Sequence, residues 1–478
     1  MDGPATIVRA ETTAKEGTLK NKDTMWEAIH PVTGQVVRRV PVMSAEEIER
    51  RVNAAVRAFE EWRRSSWRER ADALRALAKA LRTRAGELAH LMAEEMGKPV
   101  VQGRAEVEKC AWVCEYYAEE SACFLQPEPV ATDWSRSYVG FQPLGPILGI
   151  MPWNFPFWQV FRAAAPALAA GNVFLLKHAS NVPGCALAIE ELAVAAGLPL
   201  GVLQLLMVES ARVGTLIEHP QIRGVTLTGS GRAGRAVAAR AGAALKKTVL
   251  ELGGSDPYVV LEDADLDLAA ETCVNARLIN TGQSCIAAKR FIVVETVHAA
   301  FEARVVERMR LRQPGDPFQE ETTLGPLARR DLREELHRQV ERSLQLGARL
   351  CCGGTMPEEP GAFYPCTVLT EVRPGMPVFD EETFGPVAAI ISARDEAEAL
   401  ELANRSPFGL GAAIFTQDVE RGERLAREHL EAGVCTVNDF VRSDPRLPFG
   451  GIKESGYGRE LGRIGLHEFV NVKTICVR

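Results

Sequence analysis

The sequence lacks the features that would place the protein at a membrane. Its most apolar window, residues 160–176, is interrupted by Arg162, Pro166, Gly171 and Asn172, which argues against a membrane-spanning helix. Residues 1–26 are polar and contain no apolar core segment, which argues against a secretory signal. We therefore expect a cytoplasmic protein with no membrane partner, in which residues 1–26 form an N-terminal tail.

An excess of positive charge and closely paired cysteines are missing as well. The 478 residues carry a net charge of −7, so nothing favours a nucleic-acid partner. None of the 11 cysteines forms a C-x-x-C pair, and no His or second Cys pair near Cys110 and Cys114 completes a metal site. The sequence therefore predicts no bound metal, and its cysteine usage fits a reducing compartment.

What the sequence does contain is a regular alternation of apolar strands with helices. The alternation runs from Pro146 to Leu250, restarts after Gly254 and continues to Val437. This pattern predicts two α/β domains with parallel sheets covered on both faces, and ligands at the carboxyl ends of the strands. A last strand, predicted at residues 470–477, needs a partner, and a second subunit is a plausible source.

One thiol stands where it can be presented to a cavity. Cys285 follows a predicted apolar helix and the turn Gly282-Gln283-Ser284, where Gly282 permits backbone conformations closed to other residues. The alternative is a small buried side chain, which is the usual state of a free cysteine. Cys285 is the candidate nucleophile only because other stretches point to the same chemistry.

Two of those stretches follow predicted strands directly. Glu251 precedes Gly253 and Gly254 at the end of one strand, and Asn154 lies in Pro-Trp-Asn-Phe-Pro after another. An Asn amide together with the backbone N–H of Cys285 could stabilise an oxyanion. The alternatives are a solvated loop carboxylate for Glu251 and a helix cap for Asn154.

Three further stretches have the chemistry of a nucleotide site. Lys177 ends a strand and can hydrogen-bond a ribose or phosphate, although a solvated lysine is the alternative. Gly229 and Ser230 open a helix whose backbone amides could face a phosphate, although Ser230 could simply cap that helix. Glu382 and Phe384 beside a turn could hold a ribose and flank a flat ring, or form a surface loop with one packed Phe.

Together these stretches resemble the aldehyde dehydrogenase superfamily from about residue 30 to the end, in the family's order. The resemblance implies an α/β fold with a doubly wound parallel-sheet cofactor domain, a second α/β catalytic domain and a small β oligomerisation flap. The implied ranges are 27–122 and 142–253 for the cofactor domain, 254–447 for the catalytic domain, and 123–141 and 448–478 for the flap. It also implies a homodimer or homotetramer.

The resemblance assigns roles residue by residue. Cys285 would be the nucleophile, Glu251 the base that activates water, and Asn154 the oxyanion donor. Because relatives that pass the acyl group to coenzyme A do not need that base, Glu251 favours hydrolysis to a free acid. The residues that would contact a nicotinamide dinucleotide are Trp153, Lys177, Ser180, Gly229, Ser230, Leu252, Glu382 and Phe384.

The cofactor prediction depends on Ser180, three residues after Lys177. Family members that prefer NAD often carry Glu at this position, which binds the ribose hydroxyl and repels a 2′-phosphate. Ser180 is small and neutral and can donate to a phosphate. We therefore predict NADP as the cofactor, with NAD as the alternative.

The local sequence is closer still to succinate-semialdehyde dehydrogenases. Arg162, eight positions after Asn154, and Ser443 resemble that group's contacts to the substrate carboxylate. Ile279 stands where some relatives carry a second Arg, which leaves open another ω-oxo acid or an uncharged aldehyde. A surface ion pair is the alternative for Arg162, and a catalytically silent binding protein is the alternative for the whole chain. Ile286-Ala287-Ala288 offers no second cysteine beside Cys285, so no local disulfide switch is expected.

Overall fold

Sheets with interleaved helices build the part of the chain that the computed structural model describes, residues 25–358 and 360–478. A hairpin of β1 (Met25–Ile29) and β2 (Val36–Pro41) comes first. Four helices follow: α1 (Ala45–Trp62), α2 (Trp67–Thr83), α3 (Ala85–Met96) and α4 (Val100–Phe124). Two residues of the predicted tail, Met25 and Trp26, belong to β1, and the rest of that tail lies outside the described residues.

The first large sheet contains five parallel strands and one short antiparallel strand. Its strand order is β19-β9-β8-β5-β6-β7. The strands are β5 (Pro146–Ile150), β6 (Val173–Lys177), β7 (Leu203–Leu205), β8 (Gly224–Thr228), β9 (Lys247–Glu251) and the antiparallel β19 (Gly456–Tyr457). The connecting helices are α5 (Trp158–Ala169), α6 (Pro183–Ala195), α7 (Val213–Glu218) and α8 (Gly231–Ala243).

The strand order of this sheet creates a crevice between β5 and β8. The chain runs outward from β5 to β7 and then returns to the other side of β5 with β8 and β9. Loops that leave such a switch point diverge, and ligands bind between them. The loop after β5 carries Asn154, and the loop after β8 carries Gly229.

The second large sheet has seven strands in the order β12-β13-β14-β11-β10-β16-β17, all parallel except β12. The strands are β10 (Asp256–Val260), β11 (Ala288–Val294), β12 (Arg349–Cys352), β13 (Thr367–Thr370), β14 (Val387–Ala393), β16 (Gly411–Phe415) and β17 (Val434–Val437). The helices are α9 (Leu266–Leu278), α10 (Glu295–Arg310), α11 (Arg330–Gln345), α12 (Pro377–Asp380), α13 (Glu396–Asn404) and α14 (Val419–Glu428). All seven side chains of β11 are buried, as expected for a central strand covered on both faces.

A small antiparallel sheet joins the middle of the chain to its end. β20 (Val470–Val477) pairs along its whole length with β4 (Arg136–Pro143), and β4 also pairs with β3 (Glu128–Pro129). The partner of β20 therefore comes from the same chain, although the sequence had made a second subunit plausible. The remaining short elements are β15 (Phe408–Gly409), which pairs with β18 (Ile452–Lys453), and α15 (Gly462–His467).

The α/β fold class with parallel sheets is confirmed. The domain boundaries predicted from the sequence stay a prediction. Among the described residues, no helix is long and apolar enough to cross a membrane. The same residues contain no group of three or more His, Cys, Asp and Glu side chains placed to hold a metal ion.

Candidate active site

Cys285 lies where two cavities meet. The α4–α5 cavity has a volume of about 530 Å³ and is lined by residues of α4 and α5, by Ile279 and by the segment 440–443. The sheet-edge cavity has a volume of about 280 Å³ and is lined by the loops after β5, β8 and β9 and by α11. Cys285 lines both, so its sulfur can be reached from two sides.

The turn before Cys285 is what brings the thiol to this position. α9 ends at Leu278, and residues 279–282 form a 3₁₀ turn in which Asn280 and Thr281 have φ angles of 52° and 57°. Gly282 has a φ of 77°, and a Cβ at this position would lie 2.3 Å from the carbonyl oxygen of Gly385. The left-handed backbone is unfavourable for side-chain-bearing residues and needs support from its surroundings.

Hydrogen bonds between the turn and the loop after β5 provide that support. Nδ2 of Asn280 donates to the carbonyl of Asn154 at 2.7 Å, and Nδ2 of Asn154 donates to the carbonyl of Gln283 at 3.1 Å. The loop after β5 is thereby fixed against the nucleophile turn. Asn154 lines the sheet-edge cavity next to Cys285, and its Oδ1 is buried without a partner among the described residues.

Glu251 lines neither cavity. It ends β9, is 1% exposed, and neither carboxylate oxygen has a hydrogen-bond partner among the described residues. Its Oε2 lies 4.0 Å from Nη2 of Arg162, and a Cβ on Gly450 would lie 2.6 Å from its Oε1. Burial raises the pKa of Glu251 well above its ordinary value, while Arg162 opposes that rise.

Arg162 lines the α4–α5 cavity but is already engaged by other residues. Its Nε is in contact with the carboxylate of Glu460, and its Nη2 donates to Oγ1 of Thr228 at 3.3 Å. The guanidinium also lies over the ring of Phe449, 4.8 Å from the centroid. The ion pair between Arg162 and Glu460 is therefore buried. It is not the ion pair on the helix surface that was the alternative for Arg162.

Six of the predicted cofactor contacts line the sheet-edge cavity: Trp153, Gly229, Ser230, Leu252, Glu382 and Phe384. The rings of Trp153 and Phe384 meet edge to face with centroids 5.8 Å apart. Oε1 of Glu382 accepts from the backbone N–H of Gly254 at 3.0 Å, and burial raises the pKa of this carboxyl. Ser230 also caps α8, because its Oγ accepts from the N–H of Ala233 at 3.4 Å.

The other two predicted cofactor contacts, Lys177 and Ser180, lie outside that cavity at the end of β6. Lys177 is buried, with its Nζ 5.6 Å from the ring centroid of Trp26, and burial lowers its pKa to about 8. Ser180 is exposed. A carboxylate, an aromatic pair and a helix N-terminus around one cavity, with a lysine one strand away, fit a nicotinamide dinucleotide.

Residues 18–475 match the model of the Aldehyde dehydrogenase family. The chain belongs to the aldehyde dehydrogenase family. It is 50% identical to the succinate semialdehyde dehydrogenase [NAD(P)+] Sad of Escherichia coli K12, over 94% of this chain and 97% of that protein. It is 49% identical to a probable NADP+ succinate-semialdehyde dehydrogenase of Synechocystis, over 94% of this chain and 99% of that protein. A crystal structure of succinic semialdehyde dehydrogenase from Streptococcus pyogenes with NADP+ superposes with a TM-score of 0.92 at 37% identity, covering 95% of this chain and 99% of that chain.

Lys289 is a part of this aldehyde dehydrogenase site that the sequence analysis missed. Its Nζ donates to the carbonyls of Ser284 and Cys285 at 2.9 and 2.7 Å and lies 3.9 Å from Oε1 of Glu382. It therefore connects the nucleophile turn to the sheet-edge cavity. The signal in the sequence was a pair of cations, Lys289 and Arg290, inside an otherwise apolar strand, because charged groups are seldom buried without a partner.

The charge state of Cys285 follows from its surroundings. Burial raises the pKa of the thiol to about 12, and Arg162 and then Lys289 act against that rise. The thiol is therefore mostly protonated at neutral pH. A base or the electrostatic field of a bound ligand must help to form the nucleophilic thiolate.

We expect the free enzyme to react with iodoacetamide at Cys285 at a rate that rises about tenfold per pH unit between about pH 7 and pH 9, because the thiolate fraction grows in that way below the pKa. Mass spectrometry of the Cys285 peptide measures the rate, and Cys285→Ser confirms the peptide assignment. A rate that levels off below about pH 8 would contradict the raised pKa.

Proposed function

We propose that this enzyme oxidises succinate semialdehyde to succinate with NADP. The observation that supports the proposal most directly is one thiol, Cys285, shared by a cavity with cofactor-binding chemistry and a second cavity that holds cationic side chains. The relatives reported above carry that activity in their names. The aldehyde would enter from the α4–α5 cavity, and the residues of the sheet-edge cavity would hold the nicotinamide.

The reaction begins when the thiol of Cys285 passes its proton to water and the resulting thiolate attacks the aldehyde carbon. The carbonyl oxygen becomes an oxyanion, which accepts hydrogen bonds from Nδ2 of Asn154 and from the backbone N–H of Cys285. Hydride then leaves the same carbon, and the nicotinamide of NADP supplies the acceptor when it is bound. A thioester between the acyl group and Cys285 remains.

Glu251 resolves that thioester as a general base. It accepts a proton from water, the hydroxide attacks the acyl carbon, and the Cys285 thiolate leaves to give the free acid. Its carboxylate rotates from the pocket beside Gly450 toward Cys285 for this step, since it lines neither cavity at rest. Neither carboxylate oxygen has a hydrogen-bond partner among the described residues, so this rotation breaks no hydrogen bond.

The preference for NADP over NAD is determined by residues at the end of β6. Ser180 is exposed there beside Lys177, so a 2′-phosphate can meet a hydroxyl and a cation without an opposing carboxylate. The Streptococcus pyogenes structure has NADP+ bound.

The alternative within the class is another small aldehyde, and one observation favours keeping it. Ile279 lines the α4–α5 cavity at the place of a possible second Arg, and Phe155, Trp158 and Phe440 make much of the remaining wall apolar. A longer ω-oxo acid or an uncharged aliphatic aldehyde would also contact these side chains. Comparing kcat/KM for succinate semialdehyde and butanal separates the two functions, and activity with neither would favour the silent binding protein.

We also infer a homodimer or homotetramer located in the cytoplasm. One edge of β20 has no strand partner among the described residues, and Val472 on it is 60% exposed. Such an edge suits pairing with another copy. Size-exclusion chromatography with light scattering tests the subunit number.

Glu251→Gln should separate hydride transfer from hydrolysis. Because the base acts after hydride transfer, we expect one equivalent of reduced cofactor per active site in a rapid first phase, followed by a steady-state kcat lowered about a hundredfold or more. Stopped-flow absorbance of the reduced nicotinamide measures both phases. Loss of the first phase would instead place Glu251 before hydride transfer.

Ser180→Glu should weaken the use of NADP. We expect kcat/KM for NADP to fall about tenfold or more with little change for NAD, because a carboxylate repels the 2′-phosphate. Ser180→Gln is the matched control, since it adds the same bulk without the charge. Equal losses for both cofactors in Ser180→Glu would show that Ser180 does not discriminate between them.

A further inference from the structure

Lys109 is a cation in the α4–α5 cavity that the reaction described above does not use. It lies on α4, is half-buried and lines the same cavity as Cys285. Its Nζ donates to Oγ of Ser443 at 2.9 Å and lies 4.4 Å from the ring centroid of Trp158. The ammonium group is therefore held between a hydroxyl and an aromatic face, inside the space through which the aldehyde reaches the thiol.

This ammonium group has hydrogen-bonding capacity to spare. An ammonium group has three N–H donors, and Ser443 is its one side-chain acceptor among the described residues. No carboxylate of those residues forms an ion pair with it. An anion is the ligand that best completes such a site, because a cation removed from bulk water is costly without a counter-charge.

The nearby carboxylates are already engaged by other partners. Glu106 contacts Lys98 and accepts from the backbone N–H groups of Phe157 and Trp158, both at 2.9 Å. Asp444 is bound by Arg446 at 2.7 Å. The α4–α5 cavity therefore keeps a positive charge at Lys109.

Arg162 cannot by itself account for recognition of an anionic substrate. Its charge is offset by Glu460, and Glu251 lies 4.0 Å away. Truncating Arg162 would also leave Glu460 buried and unpaired, so a loss of activity in such a variant would not isolate substrate binding. Lys109 forms no ion pair with a carboxylate of the described residues, so its truncation leaves no buried charge unpaired.

We propose that Lys109, together with Ser443, binds the carboxylate of the aldehyde substrate and so determines the enzyme's specificity for an ω-oxo acid. The inference rests on the proposed function and names the residue that would carry its substrate selection. The carboxylate accepts N–H bonds from Nζ and the hydroxyl hydrogen of Ser443, while the aldehyde carbon points toward Cys285. Trp158 and Phe155 line the cavity with them and suit the methylene chain.

The protonation of Lys109 gives the proposal a pH signature. The charged or titratable groups that face it are Arg162 on α5, Asp444 after β17, and Glu106 and Cys110 on α4. Burial and then Arg162 lower its pKa to about 8. Below that pH the ammonium form binds the carboxylate, and above it the neutral amine loses the charge attraction.

Lys109→Met tests the proposal, because methionine keeps most of the length and removes the charge. With saturating NADP, we expect KM for succinate semialdehyde to rise about tenfold or more, as for loss of a hydrogen bond to a charged group, while KM for butanal changes less than about twofold. Lys109→Arg should restore part of the affinity for succinate semialdehyde. Lys79→Met, the same substitution on the exposed face of α2, controls for the change in net charge.

The pH readout distinguishes carboxylate binding from a structural role. The ratio of kcat/KM for succinate semialdehyde to that for butanal cancels the ionisation of Cys285, which both aldehydes need. In the wild-type enzyme this ratio should fall as pH rises through about 8, and in Lys109→Met it should be low and independent of pH.

Two different results would overturn two different claims. A wild-type enzyme whose kcat/KM for butanal equals or exceeds that for succinate semialdehyde would overturn the proposed substrate. A wild-type enzyme that prefers succinate semialdehyde, with equal losses for both aldehydes in Lys109→Met or an unchanged pH dependence of the ratio, would leave the proposed function intact and overturn the role of Lys109.

Discussion

The active site depends on the hydrogen bonds that tie the nucleophile turn to the loop after β5. The side-chain amide of Asn280, in the turn, donates to the carbonyl of Asn154. The side-chain amide of Asn154, in the loop after β5, donates to the carbonyl of Gln283 beside Cys285. The turn uses left-handed backbone at two side-chain-bearing residues, which costs on the order of 1 kcal/mol or more for each. Because the partners belong to different sheets, the thiol takes its position only when both sheets are packed together.

Burial of charge is the second constraint, and it acts throughout the site. Glu251, Glu460, Arg162 and Lys289 are each at most 4% exposed, so their charges interact through protein and much less through water. Burial raises the pKa values of Glu251, Glu460 and Cys285 and lowers that of Lys289. Arg162 acts against the rise at Glu251 and Cys285 and so favours the carboxylate and thiolate forms that the reaction uses.

The two cavities differ in their lining residues, and each lining suits a different molecule. The sheet-edge cavity is built from strand ends and a helix N-terminus, the parts of an α/β sheet that commonly bind nucleotides. The α4–α5 cavity is built largely from the faces of two helices, and its lining includes the cations Arg162, Lys109, Arg312 and Arg442. A change in the helix faces can therefore alter the aldehyde that is accepted without altering the cofactor site.

The sequence by itself determined the α/β class, the positions of Asn154, Glu251 and Gly229 after strands, and the presentation of Cys285 by a glycine-containing turn. Those features are local, because periodicity and turn chemistry act over a few residues. Only the tertiary structure decided that Arg162 pairs with Glu460, that Lys109 meets Ser443, that Glu251 lines neither cavity, and that β20 pairs with β4 of its own chain. Each of these is a contact between residues far apart in the chain, and such contacts are set by how helices and sheets pack, which no local pattern records.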